Sequence, residues 1–352
     1  MRCVSYKPLQ KRRLQISMLP TFLERFSDWI EYEQREKGII EMLKFLAACS
    51  LCGFMLTSAN AEVPDTIDIL YVKAPFNLQN IVMKKQNLLE KEFAKDKVKI
   101  NWIPLTQGGK QGQALASNSA QVTSVMNFSS LVLANANGNP IKVIAGVGRP
   151  SELFGLVTLS GKKPAQGAEV TVAGPKGTSL HQLLADYLNK EKVPERSVHF
   201  IGMSQQAALT ALLTGRVDCA LLGGALLEKA KQEGAKEIAN AKDFTGVNLV
   251  MAVSKDFAEK YPEALEKIAN AQDKAVQWIN ENKQEAVKIG VSELGIPEQL
   301  GSKLASAYHY YSRLNPDDIA QLEKTQKFLK DYGFIKKTVP VEEIVLPVAK
   351  EK

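Results

Sequence analysis

The sequence predicts an α/β fold of two lobes, each an open sheet with helices on both faces, joined by two crossing strands. Short apolar strands alternate with helical stretches of about ten residues, the pattern of a parallel sheet with helices on both faces. The alternation runs twice, over residues 67–147 and 170–234. Two apolar runs, residues 154–159 and 247–253, interrupt it, and a mostly helical tail begins at residue 256. Together these features predict a hinged clamshell.

The elements follow from the hydrophobic period, which is two residues in strands and near 3.6 in helices. The predicted strands are residues 67–72, 98–103, 122–126, 141–147, 170–173, 198–201 and 219–222. The predicted helices are residues 78–86, stretches ending at 137, 188 and 234, and residues 205–213, 262–279, 283–291, 302–310 and 317–332. The predicted domains are a first lobe of residues 62–156 plus 250–340, a second lobe of 157–249 and a tail of 341–352.

The segment 170–184 (V-T-V-A-G-P-K-G-T-S-L-H-Q-L-L) shows one strand–turn–helix unit in full. A short β-branched strand ends at a turn containing Gly174, Lys176 and Gly177, and Thr178 or Ser179 is a good helix N-cap. Backbone N–H groups at such a helix start, together with the helix dipole, provide a seat for an anion. An ordinary βα turn has the same pattern, and the sequence excludes a phosphate-binding P-loop here because no G-x-x-x-x-G-K-[ST] occurs.

Open α/β sheets bind ligands at the carboxyl ends of their strands, and in a clamshell these ends face the cleft between the lobes. The loops at those ends are rich in glycine, hydroxyl and amide groups that suit a small polar ligand. They are residues 73–77, 106–109, 127–130, 174–179, 202–204 and 223–224.

Residues 42–61 have the three parts of a secretory signal peptide. Lys44 is the charged start, an apolar run follows, and Ala59-Asn60-Ala61 is an A-x-A cleavage site. Cleavage after Ala61 predicts a periplasmic protein. Residues 1–41 are interpreted as an extension that results from a start codon assigned too far upstream, with translation beginning at Met42. Leu46-Ala47-Ala48-Cys49 also fits a lipoprotein box, so an anchor at Cys49 is the alternative.

Composition sets broad limits on the function. The 352 residues are 45% hydrophobic and 24% charged, as in soluble globular proteins, and the net charge of +7 includes the N-terminal segment. No basic run follows that segment, which argues against nucleic-acid binding. Cys219 alone remains after the predicted cleavage site, and it lies in an apolar run that predicts a buried, inert thiol. The mature chain contains no metal-ligand or cofactor motif, so we expect neither a metal nor a cofactor.

Four segments carry a family resemblance. They are Leu88-Leu89-Glu90-Lys91-Glu92-Phe93, the stretch V-A-G-P-K-G-T-S at 172–179, A-L-L-T-G-R-V-D at 211–218 and K-D-F-A-E-K-Y-P at 255–262. In this order, behind a secretory signal, they resemble the periplasmic solute-binding proteins of ABC importers for nitrate, taurine and aliphatic sulphonates, grouped with thiamine-pyrimidine-precursor binders. The resemblance covers most of residues 66–335. It implies a type II periplasmic-binding-protein fold, a membrane permease with its ATPase as partners, and no catalysis.

By position, the resemblance implies ligand contacts from the cleft loops. The expected ligand-binding residues are Lys73, Asn77, Gln107, Gly108, Asn127, Phe128, Ser129, Lys176, Gly177, Thr178, Ser179, Gly223 and Gly224. Two departures concern the ligand. Many members have Trp-Glu-Pro where Gly223-Gly224-Ala225 stands here, which predicts an enlarged, less negative wall, and many have Gly-Asp where Asn127-Phe128 stands.

Several side chains allow both a binding role and a structural one. Lys73, Arg149 and Lys176 could pair with an anionic ligand or be solvated, and Phe128 could stack on a ligand or pack under its loop. His181 lies one turn into its helix and could reach the cleft. The tyrosines at 308, 310 and 311 are expected to pack.

The sequence thus predicts a monomeric transport protein that captures a small polar, anionic solute such as a sulphonate, taurine or nitrate. A protein that binds a thiamine-pyrimidine precursor or another heterocycle is the alternative within the same class. Two other classes remain: a ligand sensor for a membrane partner, and an enzyme like the fungal thiamine-pyrimidine synthases. The mature chain lacks the cysteine-rich motif of those synthases, having only Cys219.

Overall fold

A computed structural model describes residues 63–351 apart from residue 245. The predicted signal peptide, its cleavage after Ala61, the alternative anchor at Cys49 and the extension 1–41 lie outside the described residues. No helix in the described part of the chain has the length and apolar character needed to cross a membrane.

The strands form two sheets. The first has the order β11-β4-β10-β3-β1-β2, and the second has the order β7-β6-β8-β5-β9. The strands are β1 Thr66–Tyr71, β2 Lys99–Pro104, β3 Val122–Asn127, β4 Ile141–Arg149, β5 Phe154–Thr158, β6 Val170–Gly174, β7 Val198–Gly202, β8 Cys219–Gly223, β9 Lys236–Asn240, β10 Leu249–Ser254 and β11 His309–Tyr310.

Helices cover both faces of each sheet. They are α1 Leu78–Lys85, α2 Leu88–Glu92, α3 Gly108–Ala116, α4 Phe128–Ala136, α5 Ser179–Lys190, α6 Gln205–Leu213, α7 Ala225–Gln232, α8 Lys255–Lys260, α9 Pro262–Glu281, α10 Lys283–Leu294, α11 Glu298–Ser306, α12 Pro316–Asp331 and α13 Val341–Ile344. The first sheet and the C-terminal helices make one lobe, and the second sheet with α5, α6 and α7 makes the other.

The chain passes between the sheets twice, and after each crossing it enters a strand antiparallel to its neighbours. β5 runs antiparallel to β8 and β9, and β10 runs antiparallel to β3 and β4. Both sheets are therefore mixed, whereas the alternation of strands and helices predicted parallel ones. Every residue of β10 is buried because this central strand is covered on both faces, which explains its continuous apolar sequence.

Two further elements differ from the sequence prediction. β9, with the sequence K-E-I-A-N, was not predicted because this edge strand lacks an apolar run. The predicted helix 302–310 ends at Ser306, and His309 and Tyr310 pair with the end of β4 instead. There the ring of Tyr308 lies over Gly148, where an added Cβ would be 2.1 Å from a ring carbon.

Asp318, which is 2% exposed, binds residues beside both crossings. The Arg149 guanidinium at the end of β4 donates to its two carboxylate oxygens at 2.8 and 2.5 Å, and the Asn248 amide, just before β10, donates to it as well. Asp318 also forms the capping box of α12 with Asn315. The crossings are joined directly by the Val247 N–H donating to the Ser151 hydroxyl at 2.9 Å.

We expect Asp318→Ala to lower the free energy of unfolding by about 3 kcal/mol, because it leaves a half-buried guanidinium without its partner. The matched control is Asp317→Ala, an exposed aspartate in the same helical turn, which should change stability by less than about 0.5 kcal/mol. Urea unfolding monitored by circular dichroism measures both. Equal losses in the two variants would show that the Asp318 contacts are not specifically stabilising.

Candidate ligand-binding cleft

A cavity of about 220 Å³ lies between the two sheets, at the carboxyl ends of their strands. Both lobes line it. The first lobe and the second crossing contribute Val72, Ala74, Pro75, Thr106, Gly108, Gln111, Val125, Met126, Asn127, Val247 and Leu249, and the second lobe contributes Phe154, Pro175, Thr178, Ser179, Leu180 and Gln205. Of the expected binding residues, the fold brings Gly108, Asn127, Thr178 and Ser179 together at this cavity.

α5 begins at the cavity with unpaired backbone donors. The Thr178 hydroxyl donates to the Pro175 carbonyl at 2.8 Å instead of capping the helix, and the first helical bond is from Gln182 N–H to the Thr178 carbonyl. The N–H groups of residues 179, 180 and 181 have no acceptor among the described residues. This is the unsatisfied helix start that the sequence predicted as an anion seat.

α3, from the opposite lobe, also reaches the cavity without a cap. Its N-cap residue Gln107 makes no side-chain capping bond, and its own side chain is exposed. The first residue, Gly108, lies so close to α4 that an added Cβ would be 2.1 Å from the Ser130 hydroxyl oxygen. A side chain at residue 108 would therefore collide with Ser130, so a glycine is required there. Together with α5, α3 gives the cavity two uncapped helix starts, and each directs the positive end of its helix dipole at the cavity.

Asn127, Phe128 and Ser129 have different roles although they are consecutive. The Asn127 side-chain oxygen accepts the Ser130 N–H at 2.9 Å and caps α4, which leaves the amide nitrogen without a partner among the described residues. Phe128 is 2% exposed and packs with Leu131 in the hydrophobic core, so it does not stack in the cavity. Ser129 is buried beside it, outside the cavity lining.

Lys73 and Asn77 hold the loop that carries the cavity residues Ala74 and Pro75. Lys73 donates to the backbone carbonyl of Glu293 at 3.2 Å and lies 3.6 Å from its carboxylate. The Asn77 amide is fully buried, donates to the carbonyls of Val72 and Ala74, and accepts from the Tyr308 hydroxyl. Both side chains thus position the loop and do not line the cavity.

The remaining cationic candidates also lie outside the cavity. Lys176 is exposed, with its ammonium 5.8 Å from the centre of the Phe334 ring, and Arg149 is paired with Asp318. No charged side chain lines the cavity among the described residues. An anion here would be held by backbone and amide N–H groups.

The departure from the family pattern at Gly223 and Gly224 predicted an enlarged cleft wall, but the structure shows that neighbouring residues fill this space. The ring of Phe154 fills the space beside Gly223, where an added Cβ would be 2.9 Å from it. Gly224 has φ +58°, and its missing Cβ would lie 2.7 Å from Cβ of Pro75 in the other lobe. Gly224 therefore permits a close contact between the lobes.

A larger cavity of about 820 Å³ lies in the first lobe, between α10, α11 and Tyr308 to Tyr310. Its polar lining consists of exposed side chains such as Lys283, Lys288 and Glu298. It does not contain the ends of the parallel strands, so the smaller cavity between the lobes is the better candidate for the ligand site.

Gly177 and His181 shape the turn before α5 from inside the protein. Gly177 has φ +70°, and its N–H donates to His181 Nδ1 at 3.2 Å. The imidazole stacks on Phe200 with ring centres 4.3 Å apart and meets the edges of Phe328, Tyr332 and Phe334 from the first lobe. Burial, assisted by the charge of Lys176, lowers the pKa of His181 from 6.5 to about 4. His181 thus supports the seat and joins the lobes as a neutral ring.

Sequence reasoning missed three polar or aromatic lining residues. Gln205 is one residue beyond the predicted loop 202–204, and Phe154 begins the first crossing strand. Gln111 is one turn into α3, and its amide supports the loop by donating to the carbonyls of Leu105 and Thr106. Of these three, only Gln205 could have been predicted from the sequence, because a polar residue in the first helical turn after a strand-end loop is also close enough to reach the cleft.

Two α/β lobes that enclose a cleft define a two-lobed binding-protein fold, and solved structures support this class. The chain is similar to the crystal structure of the periplasmic aliphatic sulphonate binding protein SsuA from Escherichia coli, with a TM-score of 0.71 and 17% identity, covering 82% of this chain and 94% of that one. It is also similar to the alkanesulfonate-binding protein SsuA from Xanthomonas axonopodis pv. citri bound to MOPS, with a TM-score of 0.70, 20% identity and coverages of 81% and 99%. These likenesses confirm the predicted clamshell fold.

The family follows from the sequence comparison. The family model described as NMT1/THI5 like matches residues 93–286, more than half of the chain. The chain therefore belongs to the NMT1/THI5-like family. A curated relative from Bacillus subtilis (strain 168), provisionally named an aliphatic sulfonates-binding protein, is 22% identical over 322 residues, covering 88% of this chain and 94% of its own length.

The lowered pKa of His181 gives a test of this interface. Between about pH 6.5 and about 4 the unfolded chain binds a proton at His181 and the folded chain does not, so the free energy of unfolding should fall as the pH falls through this range. Nearby Asp186 acts in the opposite direction, because burial raises its pKa from 3.8 to about 6 despite Lys324.

The two effects are separated by working in an Asp186→Asn background, with and without His181→Gln. Urea unfolding at about pH 7 and about pH 4.5 should show a larger loss of stability with His181 present than with glutamine. The same loss in both proteins would mean that His181 is protonated in the folded state.

Proposed function

We propose that this protein is the extracytoplasmic solute-binding component of an ABC importer. It captures a small polar, anionic solute in the cleft and delivers it to a membrane permease that works with an ATPase. The observation that carries the proposal is the pair of uncapped helix starts, α3 from one lobe and α5 from the other, at one cavity of about 220 Å³. The solute completes both helix starts only when the lobes are together.

The lining chemistry supports a small anion with an apolar part. Backbone N–H groups at residues 179 and 180 and the free amide nitrogen of Asn127 can donate to sulphonate, carboxylate or nitrate oxygens. The apolar side chains of Val125, Leu180 and Phe154 line the rest of the cavity. The names of the relatives, which refer to aliphatic sulphonates, support the sulphonate class.

A neutral heterocycle, such as a thiamine-pyrimidine precursor, is a second candidate because the cavity has no charged lining among the described residues. The Phe154 ring could contact such a ligand, and the same N–H groups could donate to ring acceptors. Both candidates are cargo of a transport protein. The relatives support transport and not catalysis, and we propose that the chain acts as a periplasmic monomer without a cofactor.

Contacts across the cleft explain how a bound solute would hold the lobes closed. Gly224 meets Pro75, and Lys303 of α11 pairs with Glu228 of α7, which is 8% exposed. These groups separate when the lobes rotate about the crossings, so solute binding and lobe closure are coupled. The contacts made by the solute add to those made by the lobes themselves.

A thermal-shift screen of the purified protein tests the function directly. Sulphonates, taurine, nitrate, carboxylates and pyrimidine precursors are the probes, and a ligand that binds only the folded state raises the Tm. We expect one class to raise it, and Ser179→Ala to reduce the shift because Ser179 is at the cavity. Ser119→Ala, an exposed serine beyond the far end of α3, is the control. No shift with any probe would reject these cargos.

The Gly224–Pro75 contact gives a second prediction. Gly224→Ala should weaken ligand binding about tenfold or more, because the added methyl group opposes closure and the closed population falls. Gly215→Ala is the matched control, since Gly215 has φ +68° but no atom within 4 Å of an added Cβ. Gly215→Ala should cost about 1 kcal/mol of stability through backbone strain. Gly224→Ala should cost more, up to about 3 kcal/mol, because φ +58° with ψ −133° is a backbone conformation that few residues other than glycine adopt. Equal ligand affinity in the two variants, measured by calorimetry, would contradict closure at Gly224.

A further inference from the structure

The side chain of Gln205 has no hydrogen-bond partner in the described protein although it lines the cavity. Its Oε1 is buried without a donor, and no bond is made by its Nε2. The oxygen lies 3.3 Å from the position of the missing Cβ of Gly223, beside the ring of Phe154. A buried carboxamide oxygen without a donor is costly, and it therefore indicates a group that the ligand supplies.

Gln205 differs from the helix starts and from the other two carboxamides of the cavity in having a free acceptor. The helix starts offer N–H groups, and Asn127 offers only its amide nitrogen, because its oxygen caps α4. Gln111 is fully engaged, since its oxygen accepts the Thr123 hydroxyl at 2.9 Å. The Thr178 hydroxyl proton is donated to Pro175. Gln205 is thus the carboxamide that still offers an acceptor to a ligand.

Gln205 is held close to the anion seat by the backbone. The Met203 N–H donates to the Gly174 carbonyl at 2.9 Å, which fixes the start of α6 beside the turn that leads into α5. The start of α6 is capped by its own Ser204, whose hydroxyl accepts the Ala207 N–H. At this helix the protein therefore presents a side chain to the cavity, whereas at α5 it presents unpaired N–H groups.

We infer that Gln205 is a specificity-determining residue, which selects solutes carrying an N–H or O–H donor in addition to the group that accepts from the helix starts. A simple alkyl anion satisfies the helix starts but leaves the Gln205 oxygen unpaired. A solute with an ammonium, amine or hydroxyl group satisfies both. This inference rests on the proposed function and narrows its substrate class.

The test uses pairs of probes that differ only in the donor. The first set is 2-aminoethanesulphonate and 2-hydroxyethanesulphonate against ethanesulphonate, and the second is an aminopyrimidine against the same ring without its amino group. Affinities are measured by calorimetry on the wild-type protein, Gln205→Leu and Gln205→Glu. The control is Gln206→Leu, the same change at the exposed neighbouring residue of α6.

In the class that binds, the wild type and Gln206→Leu should prefer the donor-bearing probe by about tenfold or more, the effect of one buried acceptor left unpaired. Gln205→Leu should reduce this preference to less than about threefold, mainly through weaker binding of the donor-bearing probe. Gln205→Glu should strengthen the preference for an ammonium group over a hydroxyl group, because the new carboxylate pairs with the cation.

Two results would overturn the inference. If a probe class binds but the wild type does not distinguish its members, or Gln205→Leu keeps the full preference, Gln205 does not read a ligand donor, and the proposed transport function stands. If no probe of either class binds any of the proteins, the proposed cargos are rejected and the role of Gln205 is rejected with them.

Discussion

One buried carboxylate fixes both crossings to the first lobe. Asp318 accepts from Arg149, where the chain leaves the first sheet, and from Asn248, where it returns. Both crossings are thereby fixed to the start of α12, which packs against α4 of the same lobe and reaches α5 of the other, where Thr325 donates to Gln182. A hinge needs short segments that bend between firmly held ends, and the Asp318 contacts hold those ends.

Three glycines determine much of the shape of the cleft, because they lack a Cβ. Gly108 lets α3 approach α4, and Gly224 lets the second lobe approach Pro75. Gly223 leaves room for Phe154 and Gln205. Because each of these positions excludes a Cβ, the cavity walls are formed by neighbouring backbone and by rings supplied from elsewhere. A change in family pattern at residues 223–225 therefore alters the ligand environment through Phe154 and Pro75, without enlarging the cleft.

The sequence predicted the elements that depend on local pattern. The strand-end loops and the turn before α5 lie where the hydrophobic period and the glycines placed them, and Ser179 and Asn127 reach the cavity as expected. The roles of Lys73 and Phe128 could not be predicted, since Lys73 is bound by Glu293, 220 residues away, and Phe128 depends on core packing. The sequence could not predict that β10 is antiparallel to its neighbours, because a fully buried strand has the same continuous apolar pattern in a parallel and an antiparallel sheet.

A cavity without charged lining has a consequence for release. A ligand held by a lysine or arginine of one lobe would keep that ion pair when the lobes separate. Here the donors are divided, with α3 and Asn127 on one lobe and α5 on the other. Opening removes half of the N–H groups and admits water to the rest, where each hydrogen bond is worth far less than in a closed site. Affinity is therefore a property of the closed form, which is what the proposed delivery to a permease requires.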